Sequence, residues 1–249
     1  MILVDSHCHI AEFEDLSTII DEAVSNGVKL IIGVGEDPVS NIKTINISER
    51  YPDIVKPCIG FHPWEAAEAD DKTISEFERQ VRKYVDLICG IGEVGLDRRF
   101  IRGTERLKRQ RLVFEKAVEL AREYDLPLNI HSVMAEKEVF ELLVKNDIDR
   151  ALFHWYTGSY EVLEQLLSMG YRISVNLALK YSRRARGVAE RAPLMLTLLE
   201  SDSPYEFRGE RASPASVVKV AKLLAEIKGV SLEEVAQITT QNARIFFSL

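Results

Sequence analysis

The chain has few cysteines, no long apolar segment and no excess of basic residues, and each absence narrows the class of protein. Cys8, Cys58 and Cys89 are scattered among 249 residues without a Cys-x-x-Cys pair, which indicates a thiol-reducing compartment. No apolar run approaches the length of a membrane span, and Asp5 ends the first apolar stretch too early for a signal peptide. We therefore expect a cytoplasmic protein without membrane association.

Basic residues are outnumbered by acidic ones, since 32 lysines and arginines stand against 39 aspartates and glutamates, and the net charge is −7. The overall field would repel nucleic acid, so a phosphate-rich substrate would have to be attracted by a local patch or by bound cations. The hydrophobic share of 46% is sufficient for a substantial core.

What the chain does contain is a regular alternation of short β-branched runs with helical patterns. The predicted strands are Ile2–Asp5, Val28–Val34, Val55–Gly60, Leu87–Glu93, Leu128–His131, Ala151–His154, Tyr171–Asn176 and Met195–Glu200. The predicted helices include Leu16–Ser25, Ile74–Tyr84, Leu107–Tyr124, Glu136–Lys145, Tyr160–Ser168, Ala215–Lys228 and Leu232–Phe247. Gly27 and Gly170 mark helix ends, and Pro127 precedes the fifth strand.

Strands that are apolar on both faces and separated by helices predict a parallel sheet covered by helices. Eight such units without a linker favour a closed (β/α)8 TIM barrel, as a single domain over residues 1–249, over an open doubly wound sheet. Gly-x-Gly-x-x-Gly is missing from the first unit, which disfavours dinucleotide binding. Residues 180–193 predict a loop or short helices, and the last helix is expected to pack Ile238, Ile245 and Phe246 onto the barrel.

All five histidines fall at the carboxyl ends of predicted strands, and helices contain none. They are His7, His9, His62, His131 and His154. In a βα barrel, this face builds the active site. Alternation along the first strand places His7 and His9 on one face and turns Cys8 away as a packed thiol.

Two carboxylates lie at the ends of predicted strands on the same face, Glu93 in "GIGEVGLD" and Asp202 in "LLESDSP". With His7, His9, His131 and His154 they exceed the needs of one tetrahedral ion and suit two divalent ions about 3.5–4 Å apart. The alternatives are structural: a lone histidine is usually a hydrogen-bonded core residue, Glu93 could cap a helix, and Asp202 could begin an Asx-turn. The joint pattern favours metal binding, because buried charges must be paired or metal-bound.

The ordered motifs "DSHCH", "GFHPW", "GEVGLD", "IHS", "FHWYTGS", "ESDSPY" and "QNARIFF" resemble those of TatD-type deoxyribonucleases, a metal-dependent branch of the amidohydrolase-like barrels. The resemblance runs from Asp5 to Phe247. It implies two divalent ions (Mg²⁺, Mn²⁺ or Zn²⁺) held by His7, His9, Glu93, His131, His154 and Asp202, with Glu93 bridging. It also implies that His62 lies beside the scissile phosphate of DNA or another phosphoester.

Catalytic roles follow from that set. Asp202 would orient or deprotonate a water activated by metal, Glu93 would hold the ions, and His62 would assist at the phosphate. The chain departs from the family in two places, because Ser132 and Val133 follow His131 where an arginine is frequent, and Ser213-Pro214 stands where Asn-Pro is frequent. Hydrolysis of a small ester or amide, including an aminoacyl-RNA ester, and a non-catalytic metal-stabilised binding module are the alternatives.

Substrate contacts are predicted for His62, Trp64, Arg98 and Tyr205. Seven basic residues between Arg98 and Arg111, with Arg183, Arg184, Arg186, Arg208 and Arg211, could form a basic rim around the barrel mouth. Trp64, Trp155, Tyr156 and Tyr205 follow proposed ligands and could stack unpaired bases. The structural alternative is that the basic residues form solvated faces and the aromatics simply pack. No feature of the sequence implies a protein partner or an oligomeric state.

Overall fold

Eight parallel strands, each hydrogen-bonded to the next in chain order, form a barrel in the computed structural model, which describes residues 1–249. The strands are β1 Leu3–Cys8, β2 Val28–Val34, β3 Val55–Phe61, β4 Gly90–Asp97, β5 Leu128–Val133, β6 Ala151–Phe153, β7 Arg172–Val175 and β8 Thr197–Leu199. A small hairpin, β9 Glu206–Phe207 and β10 Glu210–Arg211, follows β8. The predicted TIM barrel is confirmed.

Helices connect the strands and cover the outside of the barrel. They are α1 Leu16–Ser25, α2 Pro38–Arg50, α3 Pro63–Ala66, α4 Asp71–Tyr84, α5 Thr104–Tyr124, α6 Glu136–Lys145, α7 Tyr160–Ser168, α8 Ala178–Tyr181, α9 Arg183–Arg191, α10 Val217–Lys228 and α11 Leu232–Phe247. Gly27 and Gly170 adopt positive φ at helix ends, as predicted. None of the helices is long and apolar enough to cross a membrane.

The barrel closes between β1 and the segment after β8. The Asp202 amide donates to the His7 carbonyl at 3.0 Å, and the His9 amide donates to the Ser203 carbonyl at 2.8 Å. The buried Asp5 carboxylate adds a side-chain tie, because it accepts from the Ser201 amide at 2.8 Å and from the Ser201 hydroxyl. This closure places His7, His9 and Asp202 next to one another.

The strand containing Glu93 differs from its prediction. We expected it to span Leu87–Glu93, but β4 continues to Asp97, so Glu93 lies inside the strand rather than at its end. The pairing of β4 with β5 shifts register between Ile91 and Val94, which turns the chain locally at Glu93. Gly60 permits the close approach of β3, because a Cβ there would lie 2.4 Å from the Glu93 amide nitrogen.

Helix α2 has no counterpart among the predicted helices. It has weak amphipathicity, and its start is set instead by a capping box in which Asp37 and Ser40 satisfy each other's backbone amides, with Pro38 in the first turn. The irregular segment 180–193 forms short helices α8 and α9, in agreement with the prediction.

Helix α11 seals the amino-terminal end of the barrel. Phe246 and Phe247 are buried in a cluster with Val4, Ile32 and Leu198, whose side chains come from three strands. The prediction for Ile245 is wrong, because its side chain is 56% exposed. Phe247 takes the buried position, and the helical repeat places Ile245 on the outer face of α11.

The thiol of Cys8 is packed as predicted. Cys8, Cys58 and Cys89 are all buried, and burial raises the pKa of each thiol. We expect a water-soluble disulfide reagent to leave all three thiols unmodified in the folded protein, with or without metal, and to modify all three in denaturant. Native-state reaction of Cys8 that disappears when metal is added would contradict its packed position.

Candidate metal centre and active site

The five histidines meet at the carboxyl edge of the barrel, where the sequence predicted them. His7 lies within β1 and His131 within β5, whereas His9, His62 and His154 each come directly after the last residue of a strand. The rings of His7 and His154 stack with centroids 3.9 Å apart. The barrel therefore gathers imidazoles from four strands into one buried cluster.

Glu93 lies at the centre of this cluster, and its two carboxylate oxygens face different histidine pairs. Oε2 lies 3.3 Å from His7 Nε2 and 3.5 Å from His9 Nε2. Oε1 lies 2.7 Å from His131 Nδ1 and 2.9 Å from His154 Nε2. Burial would raise the pKa of Glu93, but the surrounding histidines lower it well below its usual value. Glu93 is thus an ionised carboxylate between two sets of nitrogen donors.

Asp202 completes the set on the side of His7 and His9. Its Oδ1 lies 3.7 Å from His7 Nε2 and 3.6 Å from His9 Nε2. The residue adopts φ +51°, a left-handed conformation that aspartate tolerates better than most residues. Burial would lower the pKa of His9, but Asp202, Glu93 and Glu36 raise it to about 9.

The spacing of these donor atoms fits a divalent cation. His7 Nε2 and His9 Nε2 lie 3.4 Å apart, and their distances to Glu93 Oε2 and Asp202 Oδ1 range from 3.3 to 3.7 Å. Ligand atoms bound tetrahedrally at about 2.0–2.2 Å from zinc are separated by roughly 3.3–3.6 Å. The donor types, imidazole nitrogen and carboxylate oxygen, suit Zn²⁺ or Mn²⁺ and accommodate Mg²⁺ less well.

The second oxygen of Glu93 faces an arrangement that also needs positive charge. His131 Nε2 lies 3.1 Å from Asp97 Oδ2, while His131 Nδ1 faces Glu93 Oε1. Protons satisfy both carboxylates only if His131 is an imidazolium; burial lowers its pKa, but Asp97 and Glu93 raise it overall. A divalent cation at Nδ1 would satisfy Glu93 while leaving His131 neutral.

His7 has its tautomer set by Asn129, a buried residue of β5 that the sequence analysis did not identify. Asn129 Nδ2 donates to the Ser6 carbonyl at 3.0 Å, so its Oδ1 faces His7 Nδ1 at 3.0 Å and accepts a proton from it. The unprotonated Nε2 of His7 therefore points at Glu93 and Asp202, as a metal ligand requires.

His62 has the opposite tautomer. Its Nδ1 accepts from the Trp64 amide at 3.3 Å, so in the neutral ring the proton lies on Nε2. Burial lowers the pKa of His62 to about 3, which keeps the imidazole neutral. At the edge of the cluster, His62 Nε2 lies 3.2 Å from His131 Nδ1, its hydrogen-bond partner, and 3.5 Å from Glu93 Oε1. Because Nε2 carries the proton, it faces these atoms as a donor rather than as a lone-pair ligand.

Asp97 is a second residue that the sequence analysis missed, although it stands in the quoted "GLD". It is fully buried and accepts from Trp64 Nε1 at 2.8 Å, from His131 Nε2 and from the amides of Arg99 and Phe100 at 2.7 Å. Burial would raise the pKa of Asp97, but these donors lower it overall. Asp97 therefore holds a predicted ligand and a predicted substrate contact in fixed positions.

We expect Asp97→Asn to lower the free energy of unfolding by about 1–3 kcal/mol. The carboxylate accepts buried hydrogen bonds at both oxygens, whereas the amide has one oxygen and places an NH2 donor opposite groups that are themselves donors. Urea denaturation monitored by tryptophan fluorescence measures the change. The exposed Asp149, on the opposite face, supplies the control Asp149→Asn, which should be neutral. Equal stability of both variants would remove the anchoring role from Asp97.

The predicted substrate contacts lie at the barrel mouth, but they differ in whether their side chains are available to bind a substrate. The Trp64 side chain is 45% exposed and packs edge-on against His62 with centroids 5.0 Å apart. Tyr205 is 50% exposed and packs against Trp155 and Phe207. Arg98 instead donates to Glu138 Oε2 at 2.6 Å, so its guanidinium is already paired. Tyr156 is buried, which makes its predicted base-stacking role wrong.

Most of the predicted basic rim after β4 is neutralised. The ion pairs are Arg98–Glu138, Arg106–Glu68, Lys108–Glu105, Arg109–Asp71 and Arg111 with Glu115 and Glu138. Arg99 and Arg102 are exposed and make no ion pair. After β7 and β8, the exposed Arg183, Arg208 and Arg211 also make none. The positive charge available at the mouth is therefore carried by fewer residues than the sequence suggested.

The chain is similar over nearly its whole length to known proteins. Residues 4–248 match the family described as TatD-related DNases. A human protein named deoxyribonuclease TATDN3 is 32% identical over 258 residues, covering 98% of this chain and 94% of that protein. YabD of Bacillus subtilis (strain 168), named an uncharacterized metal-dependent hydrolase, is 29% identical over 259 residues and covers 100% of both chains. The crystal structure of YjjV, a TatD homolog from Escherichia coli K12, has 24% identity and a TM-score of 0.90 over 99% of this chain and 98% of that chain, which shows a shared fold.

Proposed function

The chain belongs to the family of TatD-related DNases and is a metal-dependent hydrolase, and on this premise we propose that it hydrolyses DNA phosphodiesters with the aid of two divalent ions. The observation that carries the proposal is the position of Glu93, whose two oxygens face separate histidine pairs. A carboxylate in this position can bridge two cations. Family membership decides against a non-catalytic binding module.

We assign one ion to His7, His9, Glu93 and Asp202 and the other to Glu93, His131 and His154. The first assignment rests on the Nε2 atoms of His7 and His9, which lie 3.4 Å apart and within 3.7 Å of an oxygen of both Glu93 and Asp202. The second rests on the contacts of Glu93 Oε1 with both remaining histidines. When bound, the two ions would lower the pKa of water and neutralise the charge that develops on phosphate.

The protein's own groups position the reactants. Asp202, which lies beside His7 and His9, would orient the attacking water and accept its proton. The Nε2–H group of His62 would donate a hydrogen bond to a phosphate oxygen. Because its pKa is about 3, His62 cannot be a protonated general acid near neutral pH, so we narrow its expected role to hydrogen bonding.

Substrate recognition would use the mouth. The exposed aromatic side chains of Trp64 and Tyr205 could stack bases of an unpaired strand. Arg99, Arg102, Arg183, Arg208 and Arg211 could contact the phosphate backbone. For Arg98 to contact the phosphate backbone of DNA, the substrate would have to displace Glu138 from its guanidinium.

Hydrolysis assays with chelator-treated, metal-reconstituted protein test the proposal. Single-stranded and duplex oligonucleotides, bis-p-nitrophenyl phosphate and an aminoacyl ester would be offered with Mg²⁺, Mn²⁺ or Zn²⁺. We expect metal-dependent cleavage of DNA and of the chromogenic diester. Cleavage of the aminoacyl ester alone would support the small-ester alternative, which is left open by Val133 at the position where the family frequently has an arginine. Phosphodiester cleavage that persists in chelator would contradict the role of the ions.

A further inference from the structure

Two of the proposed ligands have outer nitrogens without hydrogen-bond partners. His9 and His154 point Nε2 toward Glu93, and their Nδ1 atoms are buried and make no hydrogen bond. His7, in contrast, donates from Nδ1 to Asn129. A buried imidazole N–H without an acceptor is costly, so each of these nitrogens needs a partner nearby.

Glu36 is the acceptor available to His9. Its Oε1 lies 3.7 Å from His9 Nδ1, a gap that a small side-chain adjustment closes. The backbone of Glu36 is held at both ends, because its amide donates to Ser40 Oγ at 2.8 Å and its carbonyl accepts from the His62 amide at 2.8 Å. The Glu36 side chain is 32% exposed, so it can be replaced without opening the core.

Glu200 is the acceptor available to His154. Its Oε1 lies 3.6 Å from His154 Nδ1, and its side chain is fully buried. Asn176 Nδ2 donates to Glu200 at 2.9 Å, and the Ser174 hydroxyl donates to its other oxygen. No lysine or arginine forms an ion pair with Glu200, so the imidazole of His154 is the partner that can compensate the buried charge of this carboxylate.

We propose that Glu36 and Glu200 are positioning residues that accept the Nδ1 protons of His9 and His154 and so aim an unprotonated Nε2 at the metal centre. This inference rests on the proposed function of the cluster. A carboxylate behind a ligating histidine fixes its tautomer and makes the ring a stronger donor, and loss of such a partner commonly weakens metal binding by about 10–100-fold.

The two carboxylates serve different ions. Glu36 acts through His9, which shares its ion with His7 and Asp202, whereas Glu200 acts through His154, which shares its ion with His131. Asn129 behind His7 is neutral, so the donor strengthened at the first ion is His9. The inference therefore predicts separable effects on the two binding steps.

Metal titrations with a competing chelator test the inference on the full-length protein. With Mn²⁺, Glu36→Gln should weaken binding of one ion by about 10–100-fold and leave the other unchanged, and Glu200→Gln should weaken the other ion. Glu206→Gln, at an exposed carboxylate of the hairpin without an ion pair, is the matched control and should bind both ions like the unmodified protein. Two ions bound with unchanged affinity by Glu36→Gln would overturn the role of Glu36.

A second measurement covers the case in which Glu200→Gln does not fold. Nitrogen-15 spectra of the Zn²⁺-loaded, unmodified protein report which ring nitrogen of each histidine carries the proton. Protonated Nδ1 on His9 and His154 is expected, and protonated Nε2 on either would overturn its assignment. Because neither readout uses DNA cleavage, weakened binding without nuclease activity would contradict only the proposed function, whereas cleavage with unchanged affinities would contradict only this inference.

Discussion

Asp202→Asn is expected to reduce DNA hydrolysis by roughly 10²–10⁴-fold, the range associated with loss of a general base. The amide keeps the size of the side chain but cannot accept the proton of water and is a weaker cation ligand. The Asp202 backbone amide still donates to His7, so barrel closure should survive. Initial rates at saturating metal measure the loss, and circular dichroism checks the fold.

Asp149→Asn is a suitable control for this change, because Asp149 is an exposed aspartate preceding β6, at the amino-terminal end of the barrel. It should cleave DNA at the unmodified rate. Full activity of Asp202→Asn at any metal concentration would show that the base lies elsewhere and would remove Asp202 from the reaction.

Glu93→Gln is expected to have a broader effect, because Glu93 alone contacts both histidine pairs. An amide presents one oxygen and no charge, so the affinity for both ions should fall by more than the about 10–100-fold that loss of an outer partner causes. We expect hydrolysis to drop to the level of the chelated protein. Elemental analysis after gel filtration would measure the loss of metal.

The pattern across variants distinguishes a bridging from a terminal ligand. Asp202→Asn should lose mainly one ion, whereas Glu93→Gln should lose both. Glu93→Asp keeps the charge on a shorter side chain and should recover part of the binding. A Glu93→Gln protein that retains two ions and cleaves DNA would contradict the bridging assignment.

The barrel could be predicted from the sequence because its signals are local. β-branched runs such as Val28–Val34 and capped amphipathic helices such as α7 identify themselves within a few residues. Helix α2 was not predicted because its apolar periodicity is weak, although Asp37, Pro38 and Ser40 form a typical helix start. The end of β4 was misplaced because the strand turns at Glu93 and then continues, which no residue pattern announces.

The histidine cluster was also predictable, because strand ends of a barrel meet by topology. Residues that act through contacts across the barrel were not. Asn129 and Asp97 lie within buried strands, and their roles depend on which histidine nitrogen they face. Likewise, the pairing of Arg98 with Glu138 joins residues forty positions apart, so the sequence overstated the basic rim.

The most direct test of the central claim is anomalous diffraction from crystals of the protein loaded with Mn²⁺. Two peaks are expected on either side of the Glu93 carboxylate, about 3.5–4 Å apart, one beside His7, His9 and Asp202 and the other beside His131 and His154. A single peak, or peaks away from Glu93, would contradict the binuclear centre.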